Sequence, residues 1–100
     1  MPTLSPPVRI SVPKHVLVRI FENESVLLNL DSECYHGLDN MGTRMWQALT
    51  HSKTVQEAYE MLLSEFEVDA ATLRKDLNDF IDTLVQRGLV EIDRGQGTKV

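Results

Sequence analysis

Three histidines, one cysteine and a run of aspartates are the side chains of this 100-residue chain that could do chemistry. His15, His36 and His51 lie far apart in sequence, and only Cys34 is close to any of them. In a strand, Cys34 and His36 would point to one face and could supply two metal ligands, short of the three or four that a zinc site takes. The plainer reading, a small buried thiol beside a partly exposed imidazole, is preferred. To act as a nucleophile, Cys34 would need an activating base and an oxyanion site, and nothing in the sequence identifies either. Asp76, Asp79 and Asp82 recur every three positions, but between Ala70 and Arg87 they stand against Arg74, Lys75 and Arg87. Three acidic and three basic residues describe a solvated helix face better than an acid/base cluster or a DNA recognition helix. There is no P-loop, no Gly-rich phosphate loop, no CxxC pair and no paired-carboxylate motif. The expectation is a protein with no catalytic residue, no metal and no cofactor, whose work is binding.

The elements that would position a binding surface are readable from periodicity. In HVLVRIF, His15 to Phe21, the residues Val16, Val18 and Ile20 share one parity and Leu17, Arg19 and Phe21 the other, which predicts a strand with one core face. After the polar ENES, Val26 to Leu30 alternates again and predicts a hairpin partner. A turn at Asp31 to Glu33 leads to a third strand, Cys34 to Leu38, so the expected sheet is an antiparallel meander with two open edges. Asp39 and Asn40 can cap a helix over about residues 40–50, with Met41, Met45, Trp46 and Leu49 at helical spacing; Trp46 and the methionines read as core. Gly42 is locally unfavourable there unless another backbone packs close. Thr54 and Glu57 form a capping box for a second helix with Ala58, Met61, Leu62 and Phe66 on one face. Asp69 caps a third, whose stripe of Leu73, Leu77, Phe80, Ile81, Leu84 and Val85 ends at Gly88. Leu89 to Ile92 can add a short strand or wing. All four prolines fall in the first 13 residues. Residues 1–14 are therefore expected to be an extended arm, residues 15–92 the domain and residues 93–100 a flexible tail.

A net charge of −5 and a pI near 5.0 weigh against a nucleic-acid partner, which would need clustered Lys and Arg. No apolar run reaches the ~20 residues that span a bilayer, and the N-terminus lacks the pattern of a signal peptide, so no membrane partner and a cytoplasmic location are expected. The lone Cys34 agrees with a reducing compartment.

From about Val16 to Val90 the chain resembles the PqqD-like proteins, the recognition elements of ribosomally made and modified peptides. The resemblance is carried by LLNLDSECYHGLDNMGTRMW, by Thr54, Val55 and Glu57, and by RKDLNDFIDTLVQRGLV. One departure is Asp39, where many members have Asn; both residues cap helices. The resemblance implies an α+β winged helix-turn-helix domain whose three-stranded sheet accepts the leader of a precursor peptide as an added strand, with pockets beside the third helix selecting side chains. Carried onto this sequence, the docking strand is Glu33, Cys34, Tyr35, His36, Gly37 and Leu38. The opposing wall is drawn from Arg74, Leu77, Asn78, Ile81 and Val85, with Leu77 equally readable as core. The implied partners are a precursor leader peptide and a separate enzyme. That enzyme is a cysteine leader peptidase in lasso-peptide formation or a radical S-adenosylmethionine enzyme in pyrroloquinoline quinone formation, with the lasso type preferred. A winged-helix DNA-binding regulator and a homodimer formed through the open strand edge are the alternatives.

Overall fold

The computed structural model describes residues 8–93. The element order is β1 (Arg9–Ser11), β2 (Val16–Phe21), β3 (Glu24–Asn29), β4 (Cys34–Leu38), α1 (Asn40–His51), α2 (Val55–Glu65), α3 (Ala70–Gln86) and β5 (Glu91–Asp93). It is an α+β winged helix-turn-helix arrangement, with the antiparallel sheet β2-β3-β4 followed by three helices.

The three strands of the meander form, but the second runs Glu24–Asn29 rather than Val26 to Leu30 and buries Ser25, Leu27 and Asn29, while Leu30 and Ile20 are exposed. Pairing Val16↔Asn29 and Leu27↔His36 puts Val16, Val18, Leu27, His36 and Leu38 on the face toward the helices. Leu17, Phe21 and Tyr35 are left on the outer face, all exposed. The β2–β3 connection is tighter than the four polar residues suggested. Phe21 pairs with Glu24, so only Glu22 and Asn23 turn the chain, and Glu22 takes a left-handed φ of 59° to do it.

Each helix starts where its cap residue stands. The Asp39 carboxylate accepts from Gly42 N–H at 2.9 Å, Thr54 Oγ1 from Glu57 N–H at 3.1 Å, and the Asp69 carboxylate from Thr72 N–H at 3.1 Å. In the second cap the Glu57 carboxylate reaches back one residue further than a standard capping box, to the N–H of Lys53 at 2.9 Å. Helix α3 ends in a Schellman motif. Leu89 N–H donates to Leu84 C=O at 2.9 Å and Gly88 N–H to Val85 C=O at 3.0 Å, with Gly88 at φ 70°. Leu27, Leu49, Leu62, Leu77, Leu84 and Leu89 are the largest fully buried side chains, so the core lies where β3 meets all three helices and the segment after α3.

The two ends of the domain differ from expectation. Within residues 1–14, expected to be an extended arm, Arg9–Ser11 forms a strand, Ile10 is buried, and Val8 C=O accepts from Val55 N–H at 2.7 Å. The wing β5 joins this strand in a separate two-stranded sheet, Arg9↔Asp93 to Ser11↔Glu91, and does not extend the meander. Three residues between prolines carry no local signal of a pairing with residues some eighty positions on. The first seven residues of the expected arm, and the expected tail beyond residue 93, lie outside the described residues.

Candidate functional site

β3 is the central strand of the meander, so β4 uses one backbone edge on β3 and, among the described residues, leaves the other without a strand partner. That free edge faces α3 across an open cleft of about 560 Å³. The strand side of the cleft is His36, Gly37 and Leu38, its floor is Met41, Gly42 and Met45 of α1, and its far wall is Thr72, Leu73, Asp76, Asp79, Phe80 and Thr83, with Val68 at the start of that wall.

Two sets of polar contacts fix the cleft, one tying the β3–β4 turn to the end of α3 and one tying the sheet to α1. At the Cys34 end, Asn29 is buried, and its amide nitrogen donates to the backbone carbonyls of Arg87 at 3.0 Å and Gly88 at 3.3 Å. Its amide oxygen accepts from the N–H groups of Asp31 at 3.0 Å and Ser32 at 3.3 Å. One side chain thus ties the β3–β4 turn to the end of α3 and satisfies carbonyls that the helix terminus leaves open. His15 adds a ring-nitrogen contact of 3.2 Å to Gly88 C=O. At the Leu38 end, the buried hydroxyls of Ser25 and Thr43 lie 2.7 Å apart, and Thr43 Oγ1 donates to Leu38 C=O at 3.4 Å. Gly42 is small for a reason found here. A Cβ at that position would stand 3.3 Å from both Leu38 Cβ and the capping Asp39 oxygen, a tight approach that a side chain would relieve only by moving β4 or the cap by a few tenths of an ångström.

The predicted docking strand is in place: Glu33 has a left-handed φ of 61° at the turn, and Cys34 to Leu38 form β4. Its side chains divide by parity. Leu38 is buried and His36 half-buried on the inner face, whereas Tyr35 is 75% exposed on the outer face beside Gly37. Cys34 is exposed rather than buried. The expectation of a buried thiol is corrected accordingly: Cys34 is the first residue of the edge strand β4, and its thiol donates to Ser32 C=O at 3.6 Å in the preceding turn. Burial, and secondarily the charge of Arg87, push the His36 pKa below its ordinary value of 6.5. Among the described residues there is no group of three His, Cys, Asp or Glu side chains able to hold a metal ion.

The predicted helix wall is not the one that lines the cleft. Leu77 and Ile81 are buried in the core, at 2% and 7% exposure. Arg74 faces α2, with its guanidinium 4.1 Å from the centre of the Tyr59 ring and Nη2 donating to Gln56 Oε1 at 3.2 Å. Asn78 and Val85 are exposed and do not line the cleft. At about 100° per residue, Arg74, Asn78 and Val85 lie roughly 90° to one side of the Leu77–Leu84 line, and Thr72, Asp76 and Thr83 roughly as far to the other. The cleft takes the second flank. Phe80 is the one signal in the sequence that could have chosen between them, because it alone extends the apolar stripe toward that side.

Comparisons with known proteins bear on the family and the fold. The family model described as coenzyme PQQ synthesis protein D (PqqD) matches residues 24–90. No curated protein matches the chain. Among solved structures, "TbiB1 in Complex with the TbiA(beta) Leader Peptide" is similar at 32% identity and a TM-score of 0.76, over 88% of this chain and 99% of that one. "Lasso peptide synthetase B1 complexed with the leader peptide" shares the fold at 20% identity and a TM-score of 0.74, over 83% of this chain and 98% of that one. With the family pattern spanning all of β3, β4 and the three helices, and the sheet edge and α3 set against each other across a cleft, this chain belongs to the PqqD family.

Proposed function

We propose that this protein is a non-catalytic adaptor that binds the leader segment of a ribosomally made precursor peptide and presents it to a separate enzyme. The observation that carries the reading is the unpaired edge of β4 facing α3 across an open cleft. An extended peptide laid there would gain main-chain hydrogen bonds to residues Glu33 to Leu38, and its alternate side chains would enter the cleft between Met41, Met45, Leu73 and Phe80. Thr72, Asp76, Phe80 and Thr83 form the opposing wall in this reading, in place of Arg74, Leu77, Asn78, Ile81 and Val85.

The lasso-peptide system is the preferred setting, with a cysteine leader peptidase as the receiving enzyme. It is supported by the structure of TbiB1 with its leader peptide, which this chain matches at 32% identity over nearly the whole length of both. The alternative setting is pyrroloquinoline quinone formation, with a radical S-adenosylmethionine enzyme as partner, and the family description supports it. No helix among the described residues is long and apolar enough to cross a membrane, in keeping with action on a dissolved peptide.

The test is a titration of the isotope-labelled protein with the leader segment of the precursor encoded beside its gene, followed by NMR. The amide signals of Cys34 to Leu38 should move to saturation. Saturable binding that leaves them in place would put the peptide elsewhere. Concentration-dependent sedimentation of the protein alone, with the same amides moving, would instead assign the edge to a second copy. Retardation of duplex DNA at low salt would favour the regulator.

A further inference from the structure

The cleft beside β4 has an apolar lining and an acidic rim. Met41 and Met45 of the floor and Leu73, Phe80 and Val68 of the far wall supply the apolar surface, and Asp39, Asp76 and Asp79 are the charged groups among its lining residues; neither Lys nor Arg is among them. Two of the three carboxylates are engaged: Asp39 caps α1, and Asp79 is paired with Lys75 at 2.9 Å. Asp76 has no hydrogen bond or ion pair among the described residues, and Lys75 is the cation whose field it shares. His36, kept below its ordinary pKa, adds no positive charge to the cleft at neutral pH.

We infer that the cleft reads the charge of its peptide as well as its shape: the segment bound along β4 carries a Lys or Arg whose side chain meets Asp76, on the same strand face as an apolar anchor seated against Phe80. This rests on the strand-addition reading above and adds to it the class of peptide selected. The spacing follows from two repeats. Asp76 and Phe80 are one turn apart on α3, about 6 Å of rise, and neighbouring side chains on one face of a strand stand about 6.6 Å apart. The cation therefore falls two positions from the anchor in the peptide. An apolar residue at that position would set Asp76 against a surface that cannot solvate or pair it, and an acidic one would add repulsion inside an acidic rim.

The experiment is an mRNA-display selection of random peptides of about 12 residues on the full chain, followed by affinity measurement on the wild type, Asp76→Asn and Asp76→Lys. NMR on the wild type identifies the selected peptides that move the β4 amides. The expected result is that these peptides carry Lys or Arg two positions from an apolar residue. They should lose at least about fivefold in affinity on Asp76→Asn, the scale of a partly exposed ion pair, and more on Asp76→Lys, for which a fresh selection should return Asp or Glu at that position. Asp76 is exposed, so both variants should keep the wild-type thermal transition; Asp76→Asn carries the test if the reversal does not. If peptides move the β4 amides but show no charge preference, and Asp76→Asn binds them within twofold of wild type, the charge reading is overturned and strand addition stands. If no selected peptide moves the β4 amides, both fall.

Discussion

The two flanks of α3 are built from similar material and put to different uses. On the flank toward α2, the Arg74 guanidinium lies over Tyr59 and bonds Gln56, so its charge and its area are used within the chain. On the flank toward β4, Thr72, Asp76, Phe80 and Thr83 look across a cleft at a strand edge that has no strand partner among the described residues, and Phe80 is only half-buried. The contrast teaches that a helix can be finished on one side and left open on the other. The open side is found by asking which polar groups and which aromatic lack a partner, rather than by charge or apolarity alone.

The sharpest separation of the two roles comes from the residues between the flanks. Leu77→Ala should cost about 3 kcal/mol in urea unfolding, as a fully buried leucine in a packed core. A loss below about 1 kcal/mol would mean that Leu77 belongs to the cleft after all. Next in size is Gly88→Ala, expected to lower stability by about 2 kcal/mol. A non-glycine residue resists φ 70°, and its Cβ would stand 3.0 Å from the Asn29 amide nitrogen that ties α3 to the β3–β4 turn. Phe80→Ala should weaken leader binding about tenfold while costing less stability than Leu77→Ala, because its ring is only half-buried in the free protein. Arg74→Ala should do the reverse on a smaller scale, lowering stability by about 0.5 kcal/mol and leaving leader affinity within about twofold. Equal effects of Phe80→Ala and Arg74→Ala on affinity would erase the distinction between the flanks.

The smallest effect is one of pH. The folded-state pKa of His36 lies below 6.5, so below that pH the unfolded chain takes up a proton that the folded chain resists. The stability held above pH 6.5 is therefore lost progressively as pH falls from 6.5 to the folded value, and no further below it. A strand laid against β4 would bury His36 more deeply, so leader affinity should also fall on the acid side of 6.5, and His36→Gln should flatten that slope. An unchanged slope in the variant would show that His36 is not the group responsible.

Much of this was legible in the sequence, for local reasons. Alternation located the three strands of the meander, though it left the bounds of β3 off by up to two residues, and Asp39, Thr54 and Asp69 marked the helix starts to within a residue of where their side chains cap them. Gly88 marked the end of α3. What escaped was non-local. Strand β1 depends on a partner at the other end of the chain, and Asn29 reads as an ordinary polar position in an alternating strand until α3 arrives above it. The flank of α3 that lines the cleft is not legible for a related reason: a helical wheel shows where the apolar stripe is centred, but which side meets the sheet edge depends on how α3 is seated. The Asn29 contacts and the Schellman turn decide that seat.

Amide hydrogen exchange of the protein saturated with its leader peptide, read residue by residue against the free protein, tests the central claim most directly. The sheet has two edges, β2 and β4, and only β4 faces α3 across the cleft. Strand addition predicts that alternate amides between Cys34 and Leu38, those pointing away from β3, become protected while those of Val16 to Phe21 exchange as before. Protection appearing on β2, or a saturated complex in which the β4 amides exchange at their free rates, would contradict it.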